Sequence, residues 1–155
     1  MSEPLASMAE LRARLAPGQR LLGLDVGAKT IGLALSDTTL TVATPMETIR
    51  RGRLATDAER LRRIVEEQRV GGFVIGLPIN MDGSEGPRSQ SVRQFARNLA
   101  KLIDLPHAFW DERLSTAAVT RALLAADLSR RRRAETVDKM AAAYILQGAL
   151  DAARA

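Results

Sequence analysis

The chain of 155 residues contains no cysteine, which excludes disulfides, thiolate zinc sites and cysteine nucleophiles together. It contains one histidine, His107. Multi-histidine metal sites and Cys–His catalysis therefore drop out, leaving carboxylates, hydroxyls and a single imidazole for any chemistry. Aromatic residues are 3% of the chain, so Leu, Ile, Val, Met and Ala must fill the core. No apolar run approaches the ~20 residues of a membrane span. The amino terminus carries Glu3 and Glu10 and has no signal-type stretch, so no membrane is expected and a cytoplasmic location is.

What is present fits one soluble domain: 46% hydrophobic and 26% charged residues are ordinary globular values, and the length leaves no room for two large lobes. Lys plus Arg total 23 against 18 acids, giving +5 and a pI near 10.6, almost all of it from arginine. Such a balance suits a polyanionic partner. Residues 1–19 read as an extension able to form a short helix, with Leu5, Met8, Leu11 and Leu15 at helical spacing before Pro17-Gly18. Residues 20–155 read as the domain.

Within it, Leu21–Val26 and Ile31–Ser36 are short apolar runs joined by the turn Gly27-Ala28-Lys29-Thr30, and Leu40–Ile49 offers a third strand. Leu54, Ala58, Leu61, Ile64 and Val65 then mark one helical face. Gly72–Leu77 is a buried strand, Pro78–Pro87 a loop with the turn pair Asp82-Gly83, and Val92 to Leu102 a second helix. Ala108–Trp110 is a short strand, Ser115 can cap a helix through Ala126, and the last helix is expected from about Thr136 to Ala153 after an arginine loop. The order implies an α/β architecture, a mixed sheet covered by helices.

Three acids stand out. Asp25 closes a buried strand just before the turn, where a charge is costly unless compensated; it reads as a turn cap or as a functional group, and the glycines at both ends of the turn favour the latter by admitting a phosphate or metal. Glu112 ends another strand, with Asp111 and Arg113 pointing to the opposite sheet face; an ion pair with Arg113 is the alternative. Asp138 falls in the first turn of the last helix, where a solvated acid is equally ordinary. Were the three to meet, like-charge repulsion would call for a cation, and oxygen-only ligands select Mg²⁺ or Mn²⁺.

Arg93, Arg97 and Lys101 recur every four residues, with Arg88 near the same helix's start, while Arg130, Arg131, Arg132 and Arg133 form an unbroken run. Either set is a solvated face or a phosphate-binding surface, and four adjacent arginines are easier to explain beside phosphates. Lys29 in the turn can also reach a phosphate, and Asn80 and Ser84 can bind a phosphate or ribose oxygen. Asp82 reads as a turn former, and His107, with no evident acid–base partner, as structural.

Four strings occur in order: Asp25-Val26-Gly27-Ala28-Lys29-Thr30-Ile31-Gly32-Leu33-Ala34; Gly76-Leu77-Pro78 with Asn80-Met81-Asp82-Gly83-Ser84-Glu85; Asp111 to Thr116; and Val137-Asp138-Lys139-Met140-Ala141-Ala142 with Ile145-Leu146. Together they make residues 20–152 resemble the bacterial YqgF family of Holliday-junction-resolvase-like proteins and pre-16S rRNA nucleases. That resemblance implies a ribonuclease-H-like fold, a five-stranded mixed sheet whose first three strands are antiparallel, flanked by helices. It also implies that Asp25, Glu112 and Asp138 are metal-binding catalytic acids hydrolysing phosphodiester bonds, with precursor rRNA, alone or in ribosomal particles, as substrate. Four-way DNA junctions are the alternative substrate, and a non-catalytic nucleic-acid-binding factor the alternative class; monomer and homodimer both remain open.

Overall fold

The computed structural model describes residues 3–114 and 130–154, the backbone alone for 130–137. In chain order the elements are α1 (Met8–Ala13), β1 (Arg20–Val26), β2 (Thr30–Ser36), β3 (Ala43–Arg50), α2 (Leu54–Gln68), β4 (Val70–Leu77), α3 (Pro87–Leu102), β5 (His107–Asp111), a 3₁₀ turn (Glu112–Leu114) and α4 (Arg130–Arg154). The sheet order is β3-β2-β1-β4-β5. β1, β2 and β3 pair antiparallel in sequence, and β4 joins β1 and β5 in parallel. The mixed five-stranded sheet expected from the sequence is therefore present.

Alternation along the strands sorts residues onto two layers. Leu22, Leu24, Ile31, Leu33, Phe73 and Ile75 face α2 and α3, whose Leu61, Ile64, Phe95 and Leu99 complete one core. On the other face Leu21, Ala34, Val74 and Ala108 meet Ala142, Ile145 and Leu146 of α4 and Leu11 of α1. The amino-terminal segment is thus part of this second core: Leu11 is fully buried, and the Leu5 amide donates to the His107 carbonyl at 2.8 Å along β5.

Several boundaries differ from the sequence reading, those of the last helix and the third strand with a clear physical reason. The last helix is described over Arg130–Arg154, so the arginine run is helical and not a loop. Arginine is a strong helix former, and neither Pro nor Gly interrupts residues 130–147. The third strand starts at Ala43, because Leu40 adopts a left-handed backbone (φ 58°) in a turn whose Asp37 carboxylate accepts the Thr41 and Val42 amides at 2.7 and 3.0 Å. The helix expected after Ser115 lies outside the described residues.

Glycines set how closely α4 approaches the sheet. A Cβ on Gly32 would stand 2.1 Å from the Asp138 carbonyl oxygen, one on Gly23 2.8 Å from Leu146 Cβ, and one on Gly76 2.5 Å from Ile145 Cδ1. Gly32 is the tightest of the three because its neighbour is backbone, which cannot rotate aside. Gly32→Ala is expected to lower unfolding stability by about 1–3 kcal/mol in urea titrations. Gly52→Ala, where a Cβ meets nothing within 4 Å, is expected to leave stability unchanged or slightly raised.

Candidate active site

β1, β4 and β5 run parallel, so Val26, Leu77 and Asp111 end at the same edge of the sheet. Asp25 lies on the α4 side of β1, on the face of Leu21 and Gly23, and is 4% exposed. Its cross-strand partner is Gly32, the residue against which the Asp138 backbone packs. Glu112 extends over β4: a Gly76 Cβ would meet its Oε1 at 2.9 Å, and Gly76 is one step beyond Ile75, the partner of Leu24. Asp25 and Asp138 are therefore brought to neighbouring positions, and Glu112 to the adjoining strand end. Among the described residues no three His, Cys, Asp or Glu side chains gather into a ready-made metal cage.

Each acid is placed by a different device. Thr30 Oγ, at the start of β2, donates to Asp138 Oδ2, tying helix to hairpin across 108 residues. Asp111 takes the Arg113 guanidinium at 2.7 Å, and those hydrogen bonds hold its carboxyl below the usual range. Arg113 thus pairs with Asp111, and Glu112, on the opposite pleat, turns over the strand end. The sequence reading assigned Gly32 to ligand approach; it admits the α4 backbone instead.

Arg51 was not singled out by sequence. Its Nη1 donates to the Gly27 carbonyl at 2.6 Å, its backbone amide to the Lys29 carbonyl at 2.8 Å, and its guanidinium stacks on Phe95 at 5.1 Å from the ring centroid. It pins the turn that follows Asp25 to β3 and α3. The only sequence signal was three arginines in the four residues Arg50-Arg51-Gly52-Arg53, a composition cue with no partner visible locally.

The other expected contacts divide. Lys29 and Arg88 are exposed, without a side-chain bond to any other described residue. Arg97 is exposed and bonds Gln94 at 2.9 Å. Arg93 is committed: it grips Glu85 at 2.7 and 2.8 Å, keeping that carboxyl below its usual range, and stacks on Phe109 at 4.9 Å. Asn80 closes its own loop, its amide nitrogen donating to Ser84 Oγ at 3.0 Å, while Asp82 accepts from the Ser84 amide and hydroxyl at 2.9 and 2.6 Å. Asp82 is a turn former, as its sequence suggested. Arg130–Arg133 are part of the helical backbone of α4. His107 is buried at the opposite end of β5, edge-on to Phe109, and desolvation pushes its pKa down.

The architecture is of the ribonuclease-H-like class. Thermus thermophilus RuvC in complex with a Holliday junction substrate matches with a TM-score of 0.54 over 85% of this chain and 93% of that one, at 12% identity. A second Thermus thermophilus RuvC structure gives 0.52 over 85% and 94%, also at 12%. At such identity the likeness concerns the fold. The chain itself belongs to the RuvX family: the profile described as "RuvX: Holliday junction resolvase" matches residues 19–152. A relative from Paramagnetospirillum magneticum is 67% identical over 148 residues, covering 96% of both chains. One from Roseobacter denitrificans is 61% identical over 152 residues, covering 97% of this chain and 93% of its own. One from Methylocella silvestris is 56% identical over 154 residues, covering 99% and 96%. All three carry the name "Putative pre-16S rRNA nuclease". No helix among the described residues is long and apolar enough to cross a membrane.

Because Arg51 makes one charged hydrogen bond and one ring contact at a half-buried position, Arg51→Met is expected to cost about 1–2 kcal/mol in denaturant unfolding. Arg88→Met, with no such contacts, is expected to stay within about 0.5 kcal/mol.

Proposed function

We propose that this protein is a metal-dependent nuclease that hydrolyses phosphodiester bonds to process the 5′ end of precursor 16S rRNA, with Asp25, Glu112 and Asp138 as its catalytic acids. The juxtaposition of Asp25 and Asp138 through Gly32 carries the chemical half of this reading. The substrate half rests on relatives 56–67% identical across nearly the whole chain.

The donor set fits a hard divalent cation. Carboxylates and the Thr30 hydroxyl supply only oxygen, the chain has no cysteine, and His107 lies four residues, about 13 Å, back along β5. The acids are close enough in backbone to be drawn inward but are not preassembled. Asp25, Glu112 and Asp138 would hold Mg²⁺ or Mn²⁺, which when bound supplies Lewis acidity toward an attacking water and a leaving oxygen.

The chain's own residues orient the substrate and the acids. Thr30 holds the Asp138 carboxylate, Arg51 fixes the turn after Asp25, and the Arg113–Asp111 pair leaves Glu112 on the site side of the sheet. Lys29, Arg88 and Arg97 offer exposed charges for the phosphate backbone. The helical backbone of Arg130–Arg133 brings four further arginines within about 12 Å of axial rise from Asp138. Arg93 is not in this set, since Glu85 already occupies it. These contacts suit a cytoplasmic enzyme acting on RNA free or in ribosomal particles.

Asp25→Asn is expected to lower the cleavage rate of a precursor-rRNA fragment by ~10³, about 4 kcal/mol of transition-state stabilisation, with an unchanged circular dichroism spectrum. EDTA should abolish wild-type cleavage and Mg²⁺ or Mn²⁺ restore it. Wild-type rates in the variant, or EDTA-resistant cleavage, would refute the assignment of the acids.

The family description and the resolvase fold make the four-way junction the competing substrate. Cleavage of a precursor-rRNA fragment and a four-way junction, compared at equal concentration, is expected to favour the RNA. Preference for the junction would reassign the substrate and leave the acids in place.

A further inference from the structure

At the sheet end remote from the acids, two arginines stand side by side with no carboxylate partner. The Arg20 amide donates to the Arg69 carbonyl at 2.9 Å, so their side chains leave adjacent backbone positions. Arg20 Nη1 donates to Gln68 Oε1 at 2.7 Å, while Arg20 Nε is buried with no acceptor. Among the described residues neither guanidinium forms a salt bridge. A buried cationic donor left unsatisfied is costly, and an anion placed there would relieve it.

The space for one exists. A cleft of about 330 Å³ is lined by Gly18, Arg20, Thr38, Glu67, Gln68 and Arg69, two cations against one carboxylate. Across Arg20 and Gln68 lies a second hollow of about 340 Å³, walled by Leu35, Pro45 and Met46 beside Thr44. Asp37 lines it too, but its carboxylate is engaged by Thr39 and the Thr41 and Val42 amides. A charged cleft adjoining a partly apolar hollow matches a phosphate joined to a flat ring system. Arg69 adds a further sign: it is a non-glycine residue at a left-handed helix C-cap (φ 55°), where glycine is the unstrained choice.

We propose that Arg20 and Arg69 form a nucleotide-binding cleft, phosphate between the guanidiniums and base against Leu35, Pro45 and Met46. It lies five residues, about 17 Å, along β1 from Asp25 and is separate from the acids. The nucleotide comes from one of two sources, a bound single strand or the free mononucleotide pool.

Calorimetric titration of the full chain with 5′-AMP, inorganic phosphate and adenosine tests this without reference to cleavage. Wild type is expected to bind 5′-AMP at least tenfold more tightly than adenosine or phosphate alone. Arg69→Gly, which relieves the left-handed strain, is expected to weaken 5′-AMP binding at least tenfold with an equal or higher melting temperature; Arg20→Gln should weaken it similarly. A single-stranded RNA oligomer that competes with 5′-AMP in wild type but not in Arg69→Gly identifies the strand as source, and non-competition identifies the free nucleotide. Absence of saturable 5′-AMP binding, equal affinity for adenosine, or wild-type affinity in Arg69→Gly would overturn the proposal.

Discussion

Helix α4 comes closest to the sheet where the strands carry glycine, and the rest of the site depends on that contact. Gly23, Gly32 and Gly76 come from three different strands and present bare backbone to Leu146, Asp138 and Ile145. Glycine in a strand costs about 0.5–1 kcal/mol through backbone entropy. Burial of Ala142, Ile145 and Leu146, all essentially inaccessible, offsets it. The same contact brings the helix turn bearing Asp138 down beside Asp25. The opposite face needs no such approach, and there full-sized Leu, Ile and Phe side chains separate the sheet from α2 and α3.

Legibility in the sequence followed the range of the interactions. The β1–β2 hairpin, β4, α2 and α3 were readable because each is an apolar pattern bounded by its own Gly, Pro or polar punctuation. The start of α4 was misread because a run of like charges looks like a loop, although each arginine favours helix. Of the site, the strand-end placement of Asp25 and Glu112 was legible from local pattern. Their relation to Asp138 was not: it depends on Gly32 meeting a helix backbone more than a hundred residues later, and a glycine beside a turn looks the same whether it admits a ligand or a helix. Thr30 and Arg51 were invisible for the same reason, since their partners, Asp138 and Phe95, are remote in sequence.

Net charge alone misdescribes the arginines. Arg60 pairs with Glu47 at 2.5 Å, Arg93 with Glu85 at 2.7 Å and Arg113 with Asp111 at 2.7 Å, while Arg51 holds a carbonyl and a ring. All four are tied up in local contacts, and the charge of the three ion-paired ones is largely neutralised locally. The surface available to a polyanion is the subset with no such duty, which includes Lys29 and Arg88 near the acids. A spacing rule cannot separate the two groups, since Arg93 and Arg97 share one stripe on α3 yet only Arg93 is spent on an ion pair.

The sheet's direction explains why the chain has two chemically distinct ends. Parallel pairing of β1, β4 and β5 sends three chain exits to one edge, where Asp25 and Glu112 lie. At the other edge the chain enters β1 directly after Gly18 and enters β4 directly after α2, so Arg20 and Arg69 are forced together by connections too short to separate them. Acids gathered at strand exits repel a phosphate unless a cation intervenes; paired arginines at strand entries attract one without help. A polynucleotide held at the second edge would therefore keep its affinity when metal is withdrawn, whereas contacts made through the first edge would weaken. One strand, β1, thus joins the two ends: its first residue is cationic and its penultimate residue is Asp25.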